Sequence, residues 1–116
     1  MIVQLGVGTH PIRMDLGPLR AGEPFEHLIP VSDSAGLVLD QTAWTVTHAI
    51  LTVDRSQTLG TLTVVHDADG LTLSATAQQT ALWAATWPTF CPWWLKSTHP
   101  SGEPLFSVAG WVSIYR

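Results

Sequence analysis

Apolar and polar residues alternate most regularly between Thr42 and Val53. Trp44, Val46, His48 and Ile50 fall on one face there, and Thr45, Thr47, Ala49 and Leu51 on the other. A period of two predicts a half-buried strand with Trp44, Val46 and Ile50 turned inward. The polar run Asp54-Arg55-Ser56-Gln57 ends it. Thr61–Val65 and Leu71–Ala75 flank Asp67-Ala68-Asp69-Gly70, whose Asp-Gly chemistry predicts a tight hairpin. Upstream, Phe25, His27 and Ile29 alternate with Glu26 and Leu28. Pro24 and Pro30 at either end each remove a ladder donor and place this strand at a sheet edge. Asp33-Ser34-Ala35-Gly36 supplies a turn. From Thr76 to Ala85 the pattern shifts to Ala, Gln and Leu, predicting one or two helical turns that stop before Pro88.

Phe90–Ser97 and Leu105–Tyr115 read as two further strands joined by the loop Pro100-Ser101-Gly102-Glu103-Pro104. Alternation turns Trp93 and Leu95 inward on the first, and Phe106, Val108, Val112 and Ile114 inward on the second. Pro92 suits an edge, a bulge or a strand start. The first 22 residues hold Gly6, Gly8, Pro11, Gly17, Pro18 and Gly22 and read as an extended arm or edge strand, with one short strand near Ile12–Leu16.

A quarter of the residues are β-branched, and nine Gly and eight Pro disfavour long helices. The fold class is therefore all-β. About seven short strands with frequent turns predict an immunoglobulin-like antiparallel β-sandwich over residues 23–116, preceded by the arm at 1–22. Charged residues are only 12% of the chain, but 46% are apolar, which excludes a disordered chain. The net charge is −4, and Arg13, Arg20, Arg55, Lys96 and Arg116 are scattered, so the sequence offers no basic stripe for nucleic acid. No charge occurs from Gly70 to Leu95, yet Gln78, Gln79, Pro88 and Pro92 interrupt that stretch and argue against a membrane span. Met1–His10 lacks the basic start and cleavage site of a secretory signal. Cys91 is the one cysteine, so no intrachain disulfide forms.

The order of these features resembles a family of small immunoglobulin-like structural domains of tailed bacteriophages, which includes the N-terminal domain of baseplate upper proteins and short stand-alone virion proteins. Arg20-Ala21-Gly22-Glu23-Pro24-Phe25 is similar to the family's x-x-G-D-x-F, and Asp33 to Asp40 to its D-x-x-G-x-x-x-D-L. Trp44 opens the next strand. Asp67-Ala68-Asp69-Gly70-Leu71-Thr72-Leu73 resembles the x-D-G-x-x-x-L hairpin, Thr80-Ala81-Leu82 sits at the family's short turn, and Trp93 with Leu95 matches Y-x-L/V. Gly110-Trp111-Val112-Ser113-Ile114 resembles the closing G-x-V-x-V. The likeness spans residues 20–115 and departs at Cys91-Pro92-Trp93-Trp94, where the family strand has no proline. It implies a non-enzymatic part of a virion, in the tail, baseplate, neck or head surface. Such a protein is made in the host cytoplasm without a signal peptide, partners itself or other virion proteins, and has no catalytic residues to carry over.

Candidate chemistry in the residues themselves is thin. His10, His27, His48, His66 and His99 lack the short spacing that places two metal ligands on one element. A calcium loop begun at Asp67 would need a carboxylate at Gln78. No G-x-S-x-G elbow is present, and Leu5-Gly6-Val7-Gly8 opens no helix that could cradle phosphate. Cys91 reads as an inert packed thiol. We therefore expect no enzyme, no cofactor and no metal.

Six tryptophans in a chain of 116 residues are the informative feature. If Trp93 faces inward, Trp94 faces outward. If Val112 and Ile114 face inward, Trp111 and Tyr115 face outward. Pairing of the two strands would gather Trp94, Trp111 and Tyr115 on one external face, the candidate interface. Otherwise the arm or the 76–87 segment folds over them within one subunit. Trp83 and Trp87, four apart, pin the helical turn to the sandwich. The competing reading is a carbohydrate-binding module whose exposed tryptophans stack on a glycan.

Overall fold

The computed structural model describes residues 3–4, 12–32, 35–101 and 105–116. In chain order these form β1 (Val3–Gln4), β2 (Ile12–Arg13), β3 (Leu16–Arg20), β4 (Phe25–Ile29), β5 (Val31–Ser32), β6 (Thr45–Leu51), β7 (Thr58–Gly60), β8 (Thr63–Asp67), β9 (Gly70–Ala75), α1 (Ala77–Thr86), β10 (Phe90–Thr98) and β11 (Leu105–Tyr115). One sheet runs β2-β11-β10-β6-β7, with β3 also on β11, and the other runs β4-β9-β8. The two pack as a sandwich around Ile29, Ile50, Leu71, Leu73, Trp93 and Leu95, all fully buried. The all-β sandwich with one short helix matches the sequence reading. Most of residues 1–11, the 33–34 half of the first turn, the 102–104 part of the last loop and the side chain of Phe106 lie outside the described residues.

Three pairings differ from a purely antiparallel arrangement. β2 and β3 run parallel to β11, and β1 runs parallel to β5. Parallel neighbours need a long crossover, and between β3 and β11 nearly the whole chain supplies it. Residues 12–20 are thereby built into the sandwich: Met14, Leu16 and Leu19 belong to its core. β4 does lie at a sheet edge, where the prolines on either side of it withdraw no needed donor.

The long ladder β10–β11 fixes which tryptophan is buried. Trp93 stands opposite Gly110 and Ile50, and Leu95 opposite Val108 and His48; both side chains are fully buried. Pro92 sits inside β10, away from an edge strand. Its partner on β11 is Trp111, whose backbone N–H turns away to the Asp15 carboxylate at 2.9 Å. Such a pair exchanges no ladder bonds, so the donor that proline lacks would point toward β6. β6 pairs with β10 only from Trp93 onward, so that donor has no counterpart there to satisfy.

The β8–β9 hairpin closes at Ala68-Asp69, with the Asp69 N–H donating to Asp67 Oδ1 at 2.9 Å. Gly70 has φ +122°, and a side chain there would run into the Ile29 carbonyl of β4, so glycine is required on two counts. α1 is ten residues long, more than the turn or two predicted. Thr76 and Gln79 form a reciprocal capping box that satisfies two helix-end donors. The buried Thr80 hydroxyl donates to the Glu23 carbonyl at 2.8 Å and ties the helix to the segment after β3. Trp83 enters the core and stacks on Trp87 at 4.6 Å. The Trp87 ring in turn lies against Gly60.

Gln41, fully buried between the sheets, joins them through polar bonds. Its side-chain oxygen accepts from Ser97 of β10 at 2.8 Å, and its backbone N–H donates to Asp67 of β8 at 2.8 Å. The side-chain oxygen and the backbone N–H thus tie this position to both layers, while the buried Nε2 has no hydrogen-bond partner among the described residues.

A candidate interaction face on the outer sheet

The period-two geometry of β10 and β11 that buries Trp93, Val108 and Val112 turns the intervening residues to the opposite side. Trp94 and Ala109 are directly opposed there, as are Phe90 and Ser113. Trp94, Trp111 and Tyr115 therefore share the outer surface of the larger sheet. Trp94 is 36% exposed, Tyr115 40% and Phe90 53%, while Trp111 is half-buried. Trp94 is flanked by alanine on both neighbouring strands, Ala109 and Ala49, which leaves room for its indole.

Phe90 is the member that the sequence reading missed. It stands diagonally between Trp111 and Tyr115, within reach of large rings on adjacent strands. It thus connects two aromatic residues that are four positions apart on β11. The signal was available, because Phe90 has the same parity as Trp94. Phe90 and Trp111 line one shallow depression together with Arg13 and Asp15.

Local structure holds the rim of this face in place. The Asp15 carboxylate accepts the Trp111 N–H and also pairs with the Arg13 guanidinium at 3.4 Å. On the other side, the β6–β7 turn sets the Arg55 guanidinium over the Trp111 ring, 5.8 Å from its centroid, in cation–π range. That turn is organised by Asp54. Its carboxylate accepts from the Thr52 hydroxyl and from the Ser56 N–H and hydroxyl, which lowers its pKa to about 2. The helix does not fold over the face; its buried side turns Trp83 and Ala84 into the core.

Four cationic residues scattered in the sequence are distributed around this face. Register places Arg13 beside Ala109, Arg20 beside Tyr115 and Lys96 beside Ser107, and Arg55 stands over Trp111.

His48, His66 and His99 serve local structure. His48 faces the core, and its Nε2 accepts the Leu62 backbone N–H at 2.9 Å, which requires a neutral ring. Burial lowers its pKa below the usual imidazole value, and burial does the same to His27. Both folded values lie below the unfolded value of about 6.5, so the unfolded chain binds these protons more readily. Their contribution to stability is therefore complete above that pH and is lost as pH falls through the depressed values. Urea midpoints should be lower at pH 5 than at pH 7.5. In a His48→Gln chain, which cannot titrate at that position, the difference should shrink.

His66 Nδ1 lies 3.0 Å from the Gln41 carbonyl and His99 Nδ1 lies 2.9 Å from the Ser101 hydroxyl; His10 is outside the described residues. Among the described residues, no three His, Cys, Asp or Glu side chains converge to hold a metal ion. Cys91 is fully buried, its Sγ 3.5 Å from the Pro88 carbonyl, and burial raises the thiol pKa, which disfavours the reactive thiolate. Among the described residues no helix is long and apolar enough to cross a membrane. No protein-family model, curated protein or solved structure matches the chain.

Proposed function

We propose that this chain is a non-enzymatic structural component of a tailed-phage virion, an immunoglobulin-like module that assembles through its outer aromatic face. The observation that carries the assembly role is the aromatic patch of Phe90, Trp94 and Tyr115, all exposed, with the half-buried Trp111 among them. Exposed aromatic surface of this kind marks an interface more often than a free surface. The strand order supports the immunoglobulin-like part of the reading. With β4, β6, β8, β9, β10 and β11 taken as strands B to G, the sheets are B-E-D and C-F-G. The virion setting is supported by the resemblance of residues 20–115 to small phage domains. Candidate locations are the tail, baseplate, neck and head surface.

Light scattering beside tryptophan emission over a dilution series tests the assembly role. Trp44, Trp83 and Trp93 are buried within the subunit and should stay constant, and the half-buried Trp87 is held against Trp83 and Gly60 away from the face, so Trp94 and Trp111 carry the signal. We expect a concentration-dependent oligomer whose emission shifts red on dissociation. Co-purification of the chain with intact particles at fixed stoichiometry tests the virion setting. A permanent monomer that is absent from particles, with emission quenched on adding a glycan, would overturn the proposal in favour of carbohydrate binding.

A further inference from the structure

The two broad faces of the sandwich differ in charge as well as in shape. The aromatic face is rimmed by Arg13, Arg20, Arg55 and Lys96, four of the chain's five Lys and Arg residues. Among the described acids, Asp15 and Asp54 lie at the same rim, Asp15 paired with Arg13 and Asp54 within its own turn. The opposite face is the outer surface of β4-β9-β8. Leu28 and Val65 lie there in one rung on either side of Thr72, 46% and 50% exposed. Glu26, Asp67 and Asp69 surround them, and these three strands and their hairpin contain no lysine or arginine. One face is thus an aromatic centre with a cationic rim, and the other an aliphatic centre with an acidic rim.

We infer that the aromatic face of one copy receives the Leu28–Val65 face of a second copy, head to tail. The inference rests on the assembly reading above and specifies its partner. Apolar centre would meet apolar centre, and the rims would attract. Pairing the aromatic face with itself would instead bring Arg13, Arg20, Arg55 and Lys96 of both copies together, and such like-charge contacts are strongly unfavourable. A head-to-tail contact uses two different patches, so an open chain of subunits keeps one unused aromatic face at one end and one unused Leu28–Val65 face at the other. Such assemblies close into rings or extend as filaments.

Charge exchange tests the arrangement by sedimentation velocity over a concentration series. The Arg20→Glu/Lys96→Glu chain has an acidic rim on both faces, and the Glu26→Lys/Asp69→Lys chain a cationic rim on both. Each alone should lose self-association, with the apparent Kd rising about a hundredfold. An equimolar mixture should associate again, as should one chain carrying all four changes. Recovery in the mixture also establishes that both variants are folded. Association should weaken with added salt. If the Glu26→Lys/Asp69→Lys chain associates as the unmodified chain does, the head-to-tail contact is overturned while assembly through the aromatic face stands. If the unmodified chain is monomeric throughout, the self-contact is overturned, and co-purification with particles separately decides the virion reading.

Discussion

Replacing Trp93 with alanine should cost about 3–5 kcal/mol of folding stability, the range for emptying a large aromatic site in a packed core. Trp93 is fully buried at the centre of the larger sheet, between Ile50 and Gly110 on its neighbouring strands. It also makes a bond no other side chain can replace. Its indole N–H donates to the Met14 carbonyl at 2.8 Å, joining residues 79 positions apart and holding the β2–β3 connection against the sheet. Domains of this size retain roughly 5–15 kcal/mol in total, so the loss would consume a large part of it. Trp93→Phe separates the two contributions. It keeps most of the ring but leaves the Met14 carbonyl without its donor, and should cost about 1–3 kcal/mol. Urea denaturation with an unchanged m-value is the measurement. A Trp93→Ala loss below about 1 kcal/mol would show that this side chain does not fill the core.

Gly110→Ala should be nearly as damaging, although it adds a single methyl group. A Cβ at this position would run into the Met14 carbonyl and come within 2.6 Å of Asp15 Oδ1. Backbone cannot swing aside as a side-chain tip does, so the Met14–Asp15 segment must lift. Three bonds meet there: Met14 N–H to the Ala109 carbonyl at 3.0 Å, Trp111 N–H to Asp15 at 2.9 Å, and the Trp93 indole to Met14 at 2.8 Å. Overpacking combined with strained or broken bonds places the cost at about 3 kcal/mol. The effect should be local first. Amide exchange at Met14 and Trp111 should quicken well before that of β10. Because Trp93 and Gly110 act on the same carbonyl, the double variant Trp93→Phe/Gly110→Ala should lose less than the two single losses added together.

What was legible in the sequence was local. Strict alternation placed the inward and outward residues of β6, β10 and β11, and with them the common face of Trp94, Trp111 and Tyr115. Asp67 to Gly70 signalled its hairpin through turn chemistry, and Pro24 and Pro30 signalled an edge strand. The parallel pairing of β2 and β3 with β11 was not legible, because two strands so distant in the chain carry no local mark of each other. The helix was read short because its Ala and Gln composition was weighed while the capping pair Thr76 and Gln79 was not. Phe90 was overlooked at the start of its strand, and four cations that look dispersed along the chain come to border one face only once the sheet is assembled. Both omissions concern the candidate face, which depends on the pairing of distant strands.

The pairing of β3 with β11 also constrains the order of events during synthesis. Asp15 must wait for Trp111, 96 residues later, before its carboxylate finds a backbone N–H to accept. At ordinary elongation speeds of about 5–20 residues per second, that interval lasts roughly 5–20 seconds. Throughout it, Met14, Leu16 and Leu19 have no β11 to cover them. Trp111 and Tyr115 arrive on that same late strand. A chain short of β11 therefore has no completed aromatic face, and under the proposed assembly role unfinished chains would lack the surface needed to join.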